Sequence, residues 1–185
     1  MGKNRTCFLV KFAEKRTMFN WLFFILVGVL GKGGYLNILA GTPFILAGEF
    51  IRTHSAGTIK KNEVLTDTGL YGMCRNPLYL GSFLISAGLV IVSKNIFIFL
   101  YFLVFFPLAY IPAILTEEAF LTDKFGEEYL SYRKRVPVFI PAMKRVKIRD
   151  FSWKQVLNNK EHLNWIVILA LLIISSIKSY LVFNK

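Results

Sequence analysis

Charged side chains that could bind a ligand are concentrated in two polar segments, residues 48–81 and 116–141. In the first segment, Arg75-Asn76-Pro77 precedes an apolar run. A helix is predicted to begin there, because Asn is a favoured N-cap and Pro is tolerated at the first helical position. The amino terminus of a helix can bind a carboxylate or a phosphate, and Arg75 adds a positive charge beside it. A capped membrane helix that binds no ligand fits the same residues.

The second segment contains two adjacent carboxylates, Glu117 and Glu118, at the carboxyl end of a long apolar run. The helix dipole disfavours negative charge at that end, which indicates that the pair meets a cation. The cation is either a basic side chain of a neighbouring loop or a cationic ligand. Glu49, near the end of another apolar run, is a further functional candidate. An ion pair between Glu49 and Arg52, three residues apart on a helix, would also explain its position.

The elements that must position these side chains are apolar helices. Of the 185 residues, 55% are hydrophobic and 18% are charged, against about 25% charged in a typical soluble domain. This composition excludes a disordered chain. Two cysteines are too few for a disulfide scaffold, and two histidines with no CxxC pair are too few for structural zinc. The basic residues that give the net charge of +12 lie between the apolar runs and form no nucleic-acid-binding motif. We therefore expect the protein to bind neither a metal ion nor nucleic acid.

Five apolar stretches predict an all-α integral membrane helix bundle that forms a single domain over residues 1–185. A membrane span needs about 20 apolar residues, and the first and third stretches are short by themselves. The short linkers that follow the first and third stretches predict two tight helical hairpins. The last stretch carries no recognisable motif. The predicted spans are residues 19–31, 35–51, 78–93, 95–115 and 163–183.

The distribution of basic residues predicts the orientation of these spans. Residues 1–17, 52–76 and 116–162 contain 19 of the 23 Lys and Arg residues. Because short basic loops stay in the cytosol, we expect a cytosolic amino terminus and a carboxyl terminus that is outside or lumenal. The membrane is either a bacterial inner membrane or the endoplasmic reticulum. Residues 119–135, divided at Gly126 into two short helices, are predicted to lie on the anionic cytosolic leaflet.

Together, the two polar segments resemble the family of isoprenylcysteine carboxyl methyltransferases and phospholipid methyltransferases, which are integral membrane enzymes. The family pattern combines L-x-T-x-G-x-Y and R-H-P-x-Y-x-G with E-E-x-x-L, F-G-x-x-Y-x-x-Y and V-P-x-x-I-P. In this chain the first motif is present with its threonine shifted by one place, and the second reads RNPLYLG. The remaining three follow in the same order between residues 117 and 141. The resemblance covers about half of the chain.

The resemblance implies methyl transfer from S-adenosylmethionine at the cytosolic face. The acceptor would be a lipid or a lipidated molecule, with either an isoprenylcysteine-like carboxylate or a phospholipid amine as the methylated group. The candidate catalytic residues are Glu49, Arg52 and Arg75. The cofactor-binding residues implied by the motifs are Leu65, Thr66, Gly69, Tyr71, Asn76, Pro77, Leu78, Tyr79, Glu117 and Glu118.

Two positions depart from the family pattern. Asn76 stands where the family usually has His, which preserves hydrogen bonding but removes a group that titrates near neutral pH. Ala113 stands where the family often has an Arg, four residues before the first Glu of the pair, as part of its acceptor site. The departures therefore concern the acceptor more than the cofactor, and they favour an acceptor that differs from a prenylcysteine or is smaller.

Two other functions are compatible with the sequence. Sterol reductases of the endoplasmic reticulum share a similar carboxyl-terminal segment and use NADPH, although they are much longer than this chain. A small polytopic membrane protein without enzymatic activity is the second alternative. Transporters generally contain internal repeats and polar residues near the midplane of the bilayer, whereas the ionisable residues here cluster towards one surface. Methyl transfer is the function that the motifs favour.

Overall fold

The computed structural model describes residues 3–60, 63–142 and 151–183, and every regular element in this part of the chain is helical. The all-α class predicted from the sequence is therefore confirmed. A short 3-10 helix, Gly69–Gly72, lies in the connection between the second and third helices. The α-helices are α1 (Lys3–Leu30), α2 (Tyr35–Thr58), α3 (Pro77–Ser93), α4 (Ile96–Arg135), α5 (Trp153–Asn158) and α6 (Glu161–Phe183).

Among the described residues, α4 and α6 are long and apolar enough to span a membrane, and α3 is apolar but shorter at 17 residues. Helices α1 and α2 include the first two predicted spans, but α1 begins at Lys3 and α2 continues to Thr58. These two helices therefore extend well beyond the apolar runs that predicted them. The five-span count stays a prediction.

The helices do not all pack in chain order. The most extensive contacts join α2 to α3 and α1 to α4, while α1 and α2 make little contact with each other. The predicted hairpin between the first two spans is therefore wrong, because each of the two helices packs against another partner. Side chains from α1, α2, α3, α4 and α6 form the main core: Phe23, Val27, Ile45, Ile85, Leu89, Val92, Ile98, Phe102, Ile168 and Leu171.

Facing glycines bring α2 and α3 unusually close together. A Cβ atom added to Gly48 would lie 2.6 Å from the carbonyl oxygen of Gly81, and one added to Gly41 would lie 2.5 Å from that of Gly88. Both separations are far below van der Waals contact, so only glycine fits this helix interface. Small residues at helix crossings in membranes allow such close backbone approach. The interface places the last turns of α2 beside the first turns of α3.

Helix α4 changes direction at Gly126. The backbone there has φ of 50° and ψ of −125°, a conformation that only glycine adopts readily. The sequence predicts two short helices after the fourth span, but residues 119–125 continue the spanning helix without a break. Beyond Gly126, the buried side chains of Tyr129 and Tyr132 pack with Leu65. This bend returns the chain to the segment between α2 and α3.

Candidate functional site

Two cavities lie side by side where α2 ends and α3 begins. The large cavity has a volume of about 630 Å³ and the small cavity about 160 Å³. The large cavity is lined by residues of α1, α2, α3, α4 and α6, whereas the small cavity is lined by the α2–α3 connection and α4. The residues that line both, referred to below as the shared wall, are Ile59, Tyr71, Arg75, Asn76 and Glu117.

The small cavity contains six of the ten residues that the motifs assign to a cofactor: Leu65, Thr66, Tyr71, Asn76, Glu117 and Glu118. Three more, Pro77, Leu78 and Tyr79, line the large cavity instead. Gly69 lines neither cavity. Its φ of 58° requires a residue without a side chain at the start of the 3-10 helix that carries Tyr71.

The paired carboxylates have different surroundings. Glu118 forms an ion pair with Arg75, with 2.8 Å between Oε1 and Nη2, and the two side chains are only 10% and 7% exposed. Arg75 also donates a hydrogen bond from Nη1 to the carbonyl oxygen of Arg133 at 2.9 Å. Glu117 instead accepts a hydrogen bond from the hydroxyl of Tyr79 at 2.8 Å and lines both cavities. The cation that Glu118 meets is therefore a protein arginine, and Glu117 is the carboxylate available to a ligand.

Asn76 occupies the N-cap position of α3, with Pro77 as the first residue of the helix. The expected cap by its side chain is absent. The side-chain amide of Asn76 instead donates from Nδ2 to the carbonyl oxygen of Val138 at 3.0 Å. This contact and the backbone hydrogen bond from Arg75 to the carbonyl oxygen of Pro137 attach the start of α3 to the segment that follows α4. Asn76 therefore fixes the shared wall rather than capping the helix.

Tyr71 has a buried hydroxyl group that lacks a hydrogen-bond partner among the residues that the structure describes. The residue is 7% exposed, lines both cavities, and leaves its phenolic oxygen unpaired. Burial raises the pKa of Tyr71 well above its usual range, so the phenol stays protonated and can donate a hydrogen bond. Unpaired buried polar groups are uncommon in proteins, and this one fits a bound ligand as its partner.

The large cavity contains an ion pair that joins α2 to α6, in which Glu161 is buried and Arg52 is partly exposed. Arg52 donates to both carboxylate oxygens of Glu161, at 2.6 and 2.9 Å, and to the hydroxyl of Ser82 at 2.5 Å. The alternative pairing of Arg52 with Glu49 is not formed. Glu49 accepts a hydrogen bond from the side-chain amide of Asn164 at 2.6 Å and lines neither cavity.

Several residues of the large cavity were not identified from the sequence. Arg16 on α1 donates from Nη1 to the hydroxyl of Tyr79 at 2.6 Å, and Glu161 on α6 pairs with Arg52. Asn164, also on α6, lines the cavity and holds Glu49. No sequence motif contains these positions. Arg16, for example, is one of several basic residues that precede the first apolar run. Only the packing of α1 and α6 against the central helices reveals them.

The fold and the paired cavities define a bundle of apolar helices with a polar two-part site at one end. Residues 36–128 match the family model described as phospholipid methyltransferase. The chain therefore belongs to the phospholipid methyltransferase family, and the resemblance inferred from the motifs is confirmed. Helices α1, α5 and α6 lie wholly outside the matched segment.

The chain is also similar to curated proteins of known name. It is 32% identical over 117 residues to the protein-S-isoprenylcysteine O-methyltransferase of Schizosaccharomyces pombe, covering 63% of this chain and 48% of the relative. It is 36% identical over 135 residues to the enzyme of the same name from Mus musculus, covering 64% and 44%. A cobalt-zinc-cadmium resistance protein of Cupriavidus metallidurans is 33% identical over 84 residues, covering 45% and 38%. The chain thus spans at most about half the length of these relatives. No solved structure matches it significantly.

Proposed function

We propose that the protein transfers a methyl group from S-adenosylmethionine to a lipid-like acceptor at the cytosolic face of a membrane. The observation that carries this proposal is the pair of cavities separated by the shared wall of Tyr71, Arg75, Asn76, Glu117 and Ile59. A water-soluble methyl donor and a membrane-dissolved acceptor require two binding spaces that meet at one place. The two cavities supply this arrangement.

The donor side of the proposal is the small cavity. Glu117 offers a carboxylate to the ammonium group or the ribose hydroxyls of the cofactor, and Tyr71 offers its unpaired hydroxyl. The ring of Tyr71 suits a positively charged sulfur, because aromatic faces attract cations. The volume of about 160 Å³ accommodates only part of the cofactor. The remainder, including the methyl group, would pass the shared wall into the large cavity.

The acceptor side is the large cavity. Trp21 and Phe24 of α1 and Ile166 and Val167 of α6 give it apolar walls. Its polar residues are Arg16, Arg52, Asn76, Tyr79, Glu117 and Glu161, among others. Such a cavity fits an amphiphile whose polar group reaches the shared wall while its hydrocarbon part lies between α1 and α6. The family and the named relatives support either an isoprenylcysteine carboxylate or a phospholipid amine as the methylated group.

In the proposed reaction the protein itself takes little part in making or breaking covalent bonds. When bound, S-adenosylmethionine would supply a methyl group on a positively charged sulfur. The acceptor oxygen or nitrogen would form a bond to the methyl carbon as the carbon–sulfur bond breaks and leaves its electron pair on sulfur. A carboxylate acceptor needs no base, whereas an ammonium acceptor must first lose a proton. The residues of the shared wall orient the two partners and exclude water, and positioning of this kind can account for several kcal/mol of the barrier, roughly 7–11 at most.

Calorimetric titration of the detergent-purified protein with S-adenosylmethionine tests the proposal. We expect binding by the wild type and a loss of at least about tenfold in affinity for Glu117→Gln, which removes one charge-assisted hydrogen bond. Glu127→Gln, an exposed carboxylate farther along α4, is the matched control and should bind as the wild type does. Folded wild-type protein that fails to bind S-adenosylmethionine contradicts the proposal, and binding of NADPH in its place supports the reductase alternative.

The proposed orientation has a separate test. Five spans, a cytosolic amino terminus and a carboxyl terminus on the opposite side follow from the asymmetry of Lys and Arg along the chain. Reporter fusions at the two termini should therefore report opposite sides of the membrane. Equal sidedness of the two termini would require an even number of spans and would contradict this orientation.

A further inference from the structure

One cationic side chain of the large cavity has no part in the motifs. Arg16 lies on α1, twenty residues before the segment that matches the family model, and its guanidinium group lines the cavity. It donates from Nη1 to the hydroxyl of Tyr79 at 2.6 Å, and its central carbon lies 5.1 Å from the centre of the same ring. Tyr79 in turn donates to Glu117 of the shared wall. A hydrogen-bonded chain therefore leads from Arg16 to the proposed donor side.

The three arginines that line the large cavity differ in how their charges are balanced. Arg52 is paired with Glu161, and Arg75 is paired with Glu118. Arg16 has no ion pair with any acidic side chain in the part of the chain that the structure describes. Its nearest recorded partner is the neutral phenol of Tyr79. Among the three arginines of this cavity, Arg16 is therefore the one whose charge is available to a ligand.

Two further features of the cavity indicate that its ligand is an amphiphile with a polar group near Arg16. The unpaired hydroxyl of Tyr71, which is more than nine-tenths buried, lines the cavity from the shared wall. Apolar side chains that include Trp21 line the cavity from α1, the helix that also carries Arg16. Glu117 is the carboxylate nearest in the hydrogen-bonded chain, and in the proposed function it serves the positively charged cofactor. A bound cofactor therefore leaves the charge of Arg16 uncompensated.

We propose that Arg16 binds an anionic group of the acceptor and thereby selects a lipid that carries a carboxylate or a phosphate beside the methylated atom. This inference rests on the proposed function and specifies its substrate class. A guanidinium can donate two parallel hydrogen bonds to either anion, which gives orientation as well as affinity. Tyr79 holds the guanidinium in place, so the anion is presented next to the shared wall. Arg16 is thus a specificity-determining residue.

Binding of paired lipid probes tests this inference independently of turnover. The carboxylate pair is N-acetyl-S-farnesylcysteine and its carboxamide, and the phosphate pair is lysophosphatidic acid and monoacylglycerol. We expect the wild type to bind the anionic member of at least one pair about tenfold more tightly, in line with one bidentate contact. Arg16→Gln should reduce that preference to less than about threefold, and it should change the affinity for S-adenosylmethionine by less than about threefold, because Arg16 contacts Glu117 only through Tyr79. The pair that shows the effect identifies the source of the anion.

Lys15→Gln is the matched control, because Lys15 is the neighbouring cation on α1, is exposed, and does not line the cavity. It should retain the wild-type preference, and Arg16→Lys should retain part of it. The inference is overturned if wild type does not distinguish the members of either pair, or if Arg16→Gln distinguishes them as wild type does. If Arg16→Gln does not fold, Arg16→Lys is measured instead. A preference for the anionic lipid in Arg16→Lys equal to that of the wild type overturns the proposed role of the two parallel guanidinium hydrogen bonds. If the wild type does not bind S-adenosylmethionine, the proposed function is refuted. The preference for anionic lipids is still measured with these same probes, so the two failures can be told apart.

Discussion

The small cavity and the large cavity share a wall but are built from different parts of the chain. The small cavity is lined by residues between 59 and 132, most of them within the matched segment, and none of its described lining residues belongs to α1 or α6. The large cavity depends on contacts between residues far apart, such as Arg52 with Glu161 and Arg16 with Tyr79. Substitutions on α1 or α6 therefore alter the large cavity without changing the lining of the small one. The proposed donor side and acceptor side can accordingly be perturbed separately.

Each cavity also contains an ion pair that attaches one helix to another, buried on both sides for Arg75 and Glu118 and partly exposed at Arg52 for the other. Arg75 and Glu118 join the start of α3 to α4 beside the small cavity, and Arg52 and Glu161 join α2 to α6 beside the large one. Removing one partner of a buried pair leaves an uncompensated charge, which is far more costly than removing an exposed one. The two pairs therefore offer matched perturbations of the two cavities.

The largest expected effect is the loss of either ion pair. Glu118→Ala should lower the free energy of unfolding by about 3–5 kcal/mol, because it leaves the buried Arg75 unpaired. Glu161→Ala should lower it by less, because the side chain of Arg52 is 21% exposed and water can solvate part of its charge. Glu118→Ala should also abolish binding of S-adenosylmethionine, whereas Glu161→Ala should retain it once the protein is kept cold enough to stay folded. Denaturation in detergent and calorimetry measure the two quantities. Glu128→Ala, an exposed carboxylate on α4, is the control. Equal losses of cofactor binding in both variants would contradict the separation of the cavities.

A smaller effect is expected at the close contact of α2 with α3. Gly48→Ala would place a methyl group 2.6 Å from the carbonyl oxygen of Gly81 and 2.8 Å from Cγ1 of Ile85. Overpacking of this kind costs about 1–3 kcal/mol of stability. The separation forced on the helices should also disturb the bond between Arg52 and Ser82 in the large cavity. Lipid binding should therefore weaken more than binding of S-adenosylmethionine.

Gly28→Ala is the control for that substitution, since its added methyl group would meet only Cδ2 of Leu171 at an ordinary distance of 3.5 Å. It should leave the melting temperature close to that of the wild type. A similar fall in stability for both variants would show that the facing glycines have no special role.

The shared wall can be probed through two tyrosines. Tyr71→Phe removes a hydroxyl that has no hydrogen-bond partner in the described part of the chain, so stability should be unchanged or slightly higher. Affinity for the cofactor or the acceptor should fall by up to about tenfold. Tyr132→Phe removes a buried hydrogen bond to the carbonyl oxygen of Tyr71, at 2.7 Å, and should lower stability by about 1 kcal/mol. Thermal unfolding and calorimetry separate the two outcomes. A loss of stability in Tyr71→Phe with ligand binding intact would exclude its hydroxyl as a ligand contact.

The smallest expected effect concerns the reactivity of Cys74, a buried thiol close to the start of α3. Cys74 is 1% exposed, and burial raises the pKa of its thiol from 9.0 to about 11. At pH 8 only about one thiol in a thousand is ionised, so a maleimide should react with Cys74 only after unfolding. Because the folded state favours the protonated thiol, its contribution to stability is complete below pH 9 and is lost as the pH rises towards 11.

The labelling measurement uses a Cys7→Ser background, so that Cys74 is the thiol observed, and compares native with denatured protein. Rapid labelling of the native protein at pH 8 would show that the segment around Cys74 opens readily. The small cavity would then be less rigid than expected from the hydrogen bonds that Arg75 and Asn76 make to the segment after α4.

Much of the small cavity could be predicted from the sequence because its residues occur in short motifs. The resemblance of these motifs to the family pattern assigned Leu65, Thr66, Tyr71 and Glu117 to one site, and the structure places all four around one cavity. Details that depend on distant atoms were not predictable. The amide of Asn76 was expected to cap its own helix, but the carbonyl oxygen of Val138, more than sixty residues away, is its partner.

The sequence by itself determined that the chain is helical, that its helices are apolar, and that two carboxylates follow the fourth apolar run. These properties depend on residues close together in the chain, so periodicity, composition and motif spacing reveal them. Only the tertiary structure decided that Glu118 is paired with Arg75 while Glu117 faces both cavities, and that Arg16 enters the site from α1. The reason is physical: those pairings depend on which helix faces meet, and contacts such as those between facing glycines of α2 and α3 set that geometry over long stretches of chain.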